Sequence, residues 1–590
     1  MGEATRSGRA LRATAVFVLS LALGQPATVA VAGGGTVALA ADRTTVVAGD
    51  AVRFTGSLTA EEACASDRPV VLESRAGGGT WEEAASATTD AGGGFAVVLS
   101  PSATAAYRAR VPAGAGCPEL VSVEVVVEAA ARVTLDAPGR VRAGRCPSME
   151  VAVSPPKPGT AVVLERRSGG RWRRVATTVL GARSEARVGA CLGFDDIGEV
   201  RLRASWPRGD AGNAPGVSRR VVVRVVPARW MERIDARVAD ADVSIAILDG
   251  DLALYRRADG RPRIPASNQK LVLSMALLDA LGPDHRSPLR ALARSAGPVV
   301  RGDLWVAGSG DPEVGRRRLR ALARAVAEAG VRRVRGSILG STVPFGRDWW
   351  APGWRWYFPR DEVALPTALT FEGNEVRGVH VRDPERRAAA FLTEALRRAG
   401  VRVRGRPGAG RPPRGLEPVA EVPSRRLIAI LAHVDRPSWN FGAEVLGKLL
   451  GMTAAGRPGT IAKGAAAIEA WAAGVGVPLR ALDASGLSYR NRVSAAGMVR
   501  LLAAAEDAPW GAALRRALPG PGQGTLEDRL AGVRVRAKTG TLSGVSALSG
   551  WVWREGAGSW ARFSILSSGM SKAGAVHLED AVVRIVSRTA

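Results

Sequence analysis

The chain has 590 residues, room for three or four domains, and its 46% hydrophobic and 23% charged residues allow packed cores and exclude wholesale disorder. Its formal net charge of +27 rests almost entirely on arginine, since lysine occurs only at Lys157, Lys270, Lys448, Lys463, Lys538 and Lys572. No basic cluster with interleaved aromatics forms a nucleic-acid module, so no nucleic-acid partner is expected, and an anionic envelope polymer is the better electrostatic match.

In chain order, residues 1–33 read as an export signal. Arg6, Arg9 and Arg12 give a positive start, Ala13 to Leu23 an apolar stretch, and Ala30-Val31-Ala32 a small-residue cleavage site. No later run is apolar for about 20 residues, so the expected location is periplasmic or extracellular, peripheral to the envelope. Residues 34–129 and 130–227 then alternate apolar and polar positions in short runs broken by Gly, Asp and Pro, the pattern of two β-sandwiches. The stretches from Leu72 to Trp81 and from Leu164 to Trp172 look like one hairpin written twice, an internal repeat of about 95 residues. Both units resemble bacterial immunoglobulin-like modules. They differ in charge: the first carries 6 basic and 12 acidic residues, the second 18 and 8. The four cysteines allow three pairings. With two in each unit, Cys64–Cys117 and Cys146–Cys191 are favoured, and an exported chain tolerates such disulfides.

From residue 228 to 590 the texture turns to mixed α/β. A strand over 243–249 is followed by a second at 252–255 and an apolar helix at 268–281, with Leu271, Leu273, Met275, Leu278 and Leu281 on one side. Arg/Ala-rich helices at 316–330 and 386–400 lie in an irregular stretch, about 296–425, that reads as an insertion. Helices return at 438–451, 461–474 and 494–506. Strands at 534–537, 547–553 and 561–567 and a helix at 575–587 close the chain, which predicts one sheet built from both ends of this region.

Three short motifs carry the chemistry. Ser267-Asn268-Gln269-Lys270 is an S-x-x-K at a helix start, Ser438-Trp439-Asn440 an S-x-N at another, and Lys538-Thr539-Gly540 ends an alternating strand. Positions i and i+3 share a helix face, so Lys270 can reach the Ser267 hydroxyl. A serine needs such a base to become a nucleophile, and a lysine serves as one when burial and a second cation, here Lys538, lower its pKa. One S-x-x-K is weak evidence, but K-T-G arises by chance only about a few times in a hundred such chains, and the three together are specific.

Residues 228–590 resemble the penicillin-binding D-alanyl-D-alanine carboxypeptidases of the peptidase S13 type, the low-molecular-mass class C group. The likeness extends from Ile264–Leu271 through Gly302–Pro312, Pro437–Glu444 and Asp483–Ser488 to Ala537–Gly544, in the family's order. It implies an α/β serine DD-peptidase of the β-lactamase/transpeptidase-like fold with an inserted subdomain, acting on peptidoglycan stem peptides as carboxypeptidase or endopeptidase without cofactor or metal. By the same resemblance Ser267 attacks the penultimate D-alanine carbonyl, Lys270 takes its proton and Ser438 relays one to the leaving amine. Asn440 holds the substrate amide and Lys538 supplies positive potential, beside Thr539 and Gly540. Thr541 and Ser543 bind the terminal carboxylate, and the N–H groups of Ser267 and Thr541 form the oxyanion hole. β-Lactams acylate Ser267. Two departures stand out. Trp439 fills a position where the family carries a small or polar residue, and the stretch between Ser267 and Ser438 is shorter than the family's, which implies a reduced or missing inserted subdomain.

Plainer readings remain beside these. Ser267 and Ser438 could be helix caps, and the aromatic run from Trp349 to Phe358 could be local core or a glycan grip. A β-lactamase-like hydrolase and a catalytically weak wall-binding homologue are the alternative functions. The four histidines, His285, His380, His433 and His577, lack metal-ligand spacing.

Overall fold

The computed structural model describes residues 35–114, 116–295 and 297–589; the export signal expected over 1–33 lies outside them. The chain divides into two compact units: 35–140, 146–190 and 199–224 form the first, while 225–589 with the short pieces 141–145 and 191–198 form the second.

The first unit is entirely β-rich. Its N-terminal sandwich packs a three-stranded sheet (Gly35–Ala41, Val52–Ala60, Gly94–Leu99) on a larger one that includes Pro69–Ala76, Glu82–Thr88 and Ala105–Val111. Phe54, Leu72, Tyr107 and Val127 fill the space between the sheets. The second sandwich repeats details as well as architecture. The register breaks between Leu72 and Glu73 in one hairpin and between Leu164 and Glu165 in the other. Glu73 then accepts from Arg108 at 2.8 Å, and Glu165 from Arg203 at 2.7 Å. Arg108 and Arg203 stack on Trp81 and Trp172, 4.2 and 4.4 Å from the ring centres. Cys64 is bonded to Cys117, Cys146 and Cys191 are also in disulfide linkage, and no cysteine is free among the described residues.

The second unit begins with α1 (Arg229–Val238), β1 (Val243–Asp249), β2 (Leu252–Arg257) and α2 (Gln269–Leu281). After β3 (Pro288–Ala293), the stretch read as an insertion holds the two expected helices, α3 (Arg316–Glu328) and α4 (Pro384–Arg398), but is less irregular than expected, adding β4 (Leu304–Ala307), β5 (Ile338–Ser341), β6 (Gly408–Gly410) and β7 (Glu417–Pro423). These strands form a five-stranded mixed sheet in the order β6-β5-β4-β3-β7. Leu319, Leu322 and Val326 of α3 and Leu392 and Leu396 of α4 share its separate core. The strands are too short for alternation to stand out in the sequence.

The chain continues through α5 (Leu427–Asp435), α6 (Asn440–Ala455), α7 (Ile461–Gly474) and α8 (Ala495–Asp507) to β8 (Val535–Leu542), β9 (Val545–Arg554), β10 (Ser559–Ser568) and α9 (Lys572–Ser587). The main sheet is antiparallel throughout, order β2-β1-β10-β9-β8, so strands from both ends of the unit join in one layer. Side-chain caps start several helices: Thr460 accepts the Lys463 N–H, Ser494 that of Gly497 and Ser571 that of Gly574. Helix α2 differs from the one-sided helix expected, for Gln269 through Leu278 are all buried. It runs through the middle of the largest core, with Leu431, Leu446, Ile468 and Leu502 from four other helices in the same cluster. A central helix needs no polar face.

Candidate active site

Ser267 occupies a single 3-10 turn, Ala266–Asn268, immediately before α2. Ala266 holds a left-handed backbone (φ 45°), as does Ser438 (φ 62°) just before α6. A non-glycine residue rarely adopts this conformation, and both serines are aimed by such a turn. The end of β8 lies against the first turn: a Cβ on Gly540 would sit 2.8 Å from the Pro265 carbonyl and 3.0 Å from the Ser267 nitrogen. The 483–488 loop closes on it too, because Gly486 (φ +85°) would place a Cβ 1.9 Å from the Ala266 carbonyl. Both glycines are required by close backbone approach.

Lys270, one helical turn from Ser267, is fully buried. Its ammonium donates to Ser267 Oγ at 2.9 Å, Asn440 Oδ1 at 2.7 Å and the Ser485 carbonyl at 2.6 Å. Burial pulls its pKa down to about 8, with Asp483, Asp435, Glu444 and Glu362 acting against the shift. Lys538, equally buried, donates to Ser438 Oγ and to the Thr539 carbonyl, each at 2.9 Å. Its pKa is lowered first by burial and then by the charge of Lys270. Two serine hydroxyls therefore each face a lysine that sheds its proton readily. Thr539 donates its hydroxyl to Thr525 Oγ1 at 2.7 Å. Thr541 is exposed farther along β8, and Ser543, exposed in the following turn, gives its N–H to the Tyr489 hydroxyl at 3.2 Å. The structure thus bonds Ser267, Lys270 and Asn440 into one group and Ser438 and Lys538 into a second, the two joined by the charge of Lys270 acting on Lys538, with Gly540 against the nucleophile turn. Among the described residues, the side chains of Thr541 and Ser543 make no hydrogen bond to either group.

Several residues here were not singled out from sequence. Asp435 is buried at the end of α5 and accepts from Ser274 Oγ at 2.8 Å, while its Oδ1 has no hydrogen-bond partner among the described residues. Its pKa is raised by burial, and Lys538 and Lys270 act to lower it. A lone carboxylate ending the apolar helix Leu427–Asp435, against the helix dipole, was a signal that could have been read. Glu444, one turn beyond Asn440, accepts the N–H groups of Ala484 (3.0 Å) and Ser485 (2.7 Å), fixing the peptide whose carbonyl meets Lys270. Asp483 accepts from Gly486, Ser488, Asn491 and Trp354 Nε1. Trp354 and Phe358 are therefore local core, whereas Trp350 and Trp356 are exposed. Trp439 packs between His433 and Phe441, ring centres 5.5 and 5.4 Å away. Among the described residues no group of histidine, cysteine or carboxylate side chains could hold a metal ion.

This fold, with its serine–lysine pair at the head of a buried helix and a second lysine on the edge strand, defines a serine hydrolase of the penicillin-binding, β-lactamase-like class. The D-Ala-D-Ala carboxypeptidase 3 (S13) family matches residues 232–378 and 365–589, and the chain belongs to that family. It is a serine-type D-Ala-D-Ala carboxypeptidase. The D-alanyl-D-alanine carboxypeptidase of Actinomadura sp. (strain R39) is 32% identical over 421 residues, 56% of this chain and 78% of that protein. A carboxypeptidase of Mycobacterium tuberculosis is 28% identical over 334 residues, 50% of this chain and 69% of its own length. In fold, the chain is similar to penicillin binding protein 4 of Haemophilus influenzae, with a TM-score of 0.54 at 19% identity over 60% of this chain and 99% of that one. No helix among the described residues is long and apolar enough to cross a membrane.

Proposed function

We propose that the enzyme trims peptidoglycan stem peptides through an acyl-enzyme on Ser267. Ser267 Oγ attacks the carbonyl carbon of the penultimate D-alanine while its proton passes to neutral Lys270 Nζ. The tetrahedral oxyanion is held by the N–H groups of Ser267 and Thr541. As the C–N bond breaks, Ser438 hands its proton to the departing D-alanine nitrogen and takes one from the Lys538 ammonium. Water then attacks the ester and gives a proton back to Lys538 through Ser438, the Ser267 oxygen leaves with the proton held on Lys270, and the shortened peptide departs as its acid. Asn440 orients the substrate amide, and Thr541 and Ser543 receive the terminal carboxylate in the field of Lys538. The observation that carries this reading is the Lys270 Nζ–Ser267 Oγ contact of 2.9 Å on a lysine whose pKa is about 8.

A β-lactam presents a strained amide in place of the D-Ala-D-Ala bond and acylates the same oxygen. The packing of Trp439 on His433 and Phe441 supports an open approach to Ser267. Cleavage of cross-links, export by the N-terminal segment and an immunoglobulin-like identity for the two sandwiches, as spacers at the envelope, complete the proposal. The test is labelling with a fluorescent penicillin, comparing the parent with Ser267→Ala. One stable covalent label in the parent and none in the variant is expected; equal labelling of both would place the nucleophile elsewhere.

A further inference from the structure

Away from the catalytic cluster, α1 and α9 lie side by side, and a groove of about 790 Å³ runs between them. Its lining runs along α9 from Ala573 to the capping Arg588, a stripe about 22 Å long at about 1.5 Å per residue. Helix α1 contributes an i, i+4 pair of arginines, Arg233 and Arg237, while Arg584 of α9 and Arg588, which caps the end of α9, line the other side with His577. The apolar part of the lining is Ala236, Ala573, Val576, Ala581 and Ile585.

The charge in the groove is unbalanced. Arg233, Arg237 and Arg588 have no ion pair or side-chain hydrogen bond among the described residues, and Arg584 spends one N–H on the Ala531 carbonyl at 2.9 Å. Among the described residues the one carboxylate lining it, Asp580, is already engaged by Arg529 at 2.7 Å. On α1, Asp235 accepts the Tyr255 hydroxyl at 2.6 Å. Four guanidinium groups in two rows along an elongated trough match a linear polyanion rather than a single ion. A bilayer is the poorer match, because no large apolar side chain of α1 or α9 is fully exposed, Trp230 and Val576 being half-buried.

We propose that this groove is a docking site for a linear, phosphate-bearing anionic polymer, which holds the enzyme near such a polymer without occupying the catalytic cleft. The chemistry of Ser267 plays no part in this inference. The test measures binding of the full chain to medium-length sodium polyphosphate over a range of salt, beside Arg233→Gln/Arg237→Gln/Arg588→Gln. A control, Arg171→Gln/Arg173→Gln/Arg174→Gln, removes equal charge from an exposed hairpin of the other unit. The groove variant is expected to bind at least tenfold more weakly, with the log–log salt slope reduced by about 2 at about 0.7 per lost contact. The control should bind as the parent does, and turnover of a D-Ala-D-Ala peptide should be equal in all three. Unchanged polyphosphate binding by the groove variant, or equal loss in the control, overturns the proposal. So does a dependence on these arginines seen only with vesicles containing phosphatidylglycerol, which would assign the groove to membranes.

Discussion

Burying two ammonium groups in one cleft is costly, since each loses its hydration and repels the other. Asp435 sits beneath both: its negative charge raises the pKa of Lys270 and of Lys538 against the pull of burial. Acylation needs Lys270 neutral, so its rate should climb with pH through about 8. In Asp435→Asn the lysines lose a neighbouring anion and release their protons more easily, while Ser274 keeps a partner. The rising limb should therefore move to lower pH, read by stopped-flow acylation with a chromogenic β-lactam; a limb that stays or moves upward counts against this role. Stability follows the same titration. The unfolded chain keeps the lysine proton until near 10.5, whereas the folded protein releases it near 8. The penalty from Lys270 is thus fully present below about 8 and fades as pH rises toward 10.5.

At the scale of elements, the site exists because β8 and the 483–488 loop press on the turn before α2. Gly540 is the contact point of the strand, and its substitution tests the whole arrangement. Gly540→Ala must move β8 away from Pro265 and Ser267 by some tenths of an ångström, carrying Lys538 and Thr541 with it. kcat/KM on a D-Ala-D-Ala peptide should fall on the order of 100-fold, the usual consequence of misplacing reacting groups, while Tm shifts little. Activity within twofold of the parent would show that the close approach is dispensable. K-T-G was visible in the sequence as a motif, but its glycine acquired a reason only from the Pro265 carbonyl opposite. The one-sided helix expected over 268–281 failed for a related cause: periodicity reports a helix with a wet face, and α2 has none.

Across the whole molecule, the catalytic unit includes chain that a linear reading places elsewhere. Residues 191–198 cluster with it: the Phe194 ring lies 5.4 Å from that of Tyr255, and Asp195 pairs with Arg256 at 3.1 Å. A Cβ on Gly193 would meet the Ala253 carbonyl at 2.5 Å. A chain beginning at residue 225 should keep its acylation rate yet melt about 1–3 °C below the full chain's catalytic transition, a loss of about 1–2 kcal/mol in a domain of this size. An unchanged Tm would make 191–198 a bystander.

The order of motifs, the spacing of Ser267 and Lys270 and the doubling of the β-rich units were all legible in the sequence, because each is a local pattern of a few residues or a repeat of one. Family membership could be read from the same segments. What the sequence left open depended on residues brought together from far apart. Lys270 meets Asn440 and Ser485 across 170 and 215 positions, and Lys538 meets Ser438 across 100. Asp435 and Glu444 act only through burial, which no local pattern records. The strands of the insertion are two to seven residues long and gain their meaning from partners. The cationic groove likewise arises where the first and last helices of the catalytic unit meet, some 350 residues apart in the chain. Tertiary packing decided these features because desolvation and close approach are properties of neighbours in space, not of neighbours in sequence.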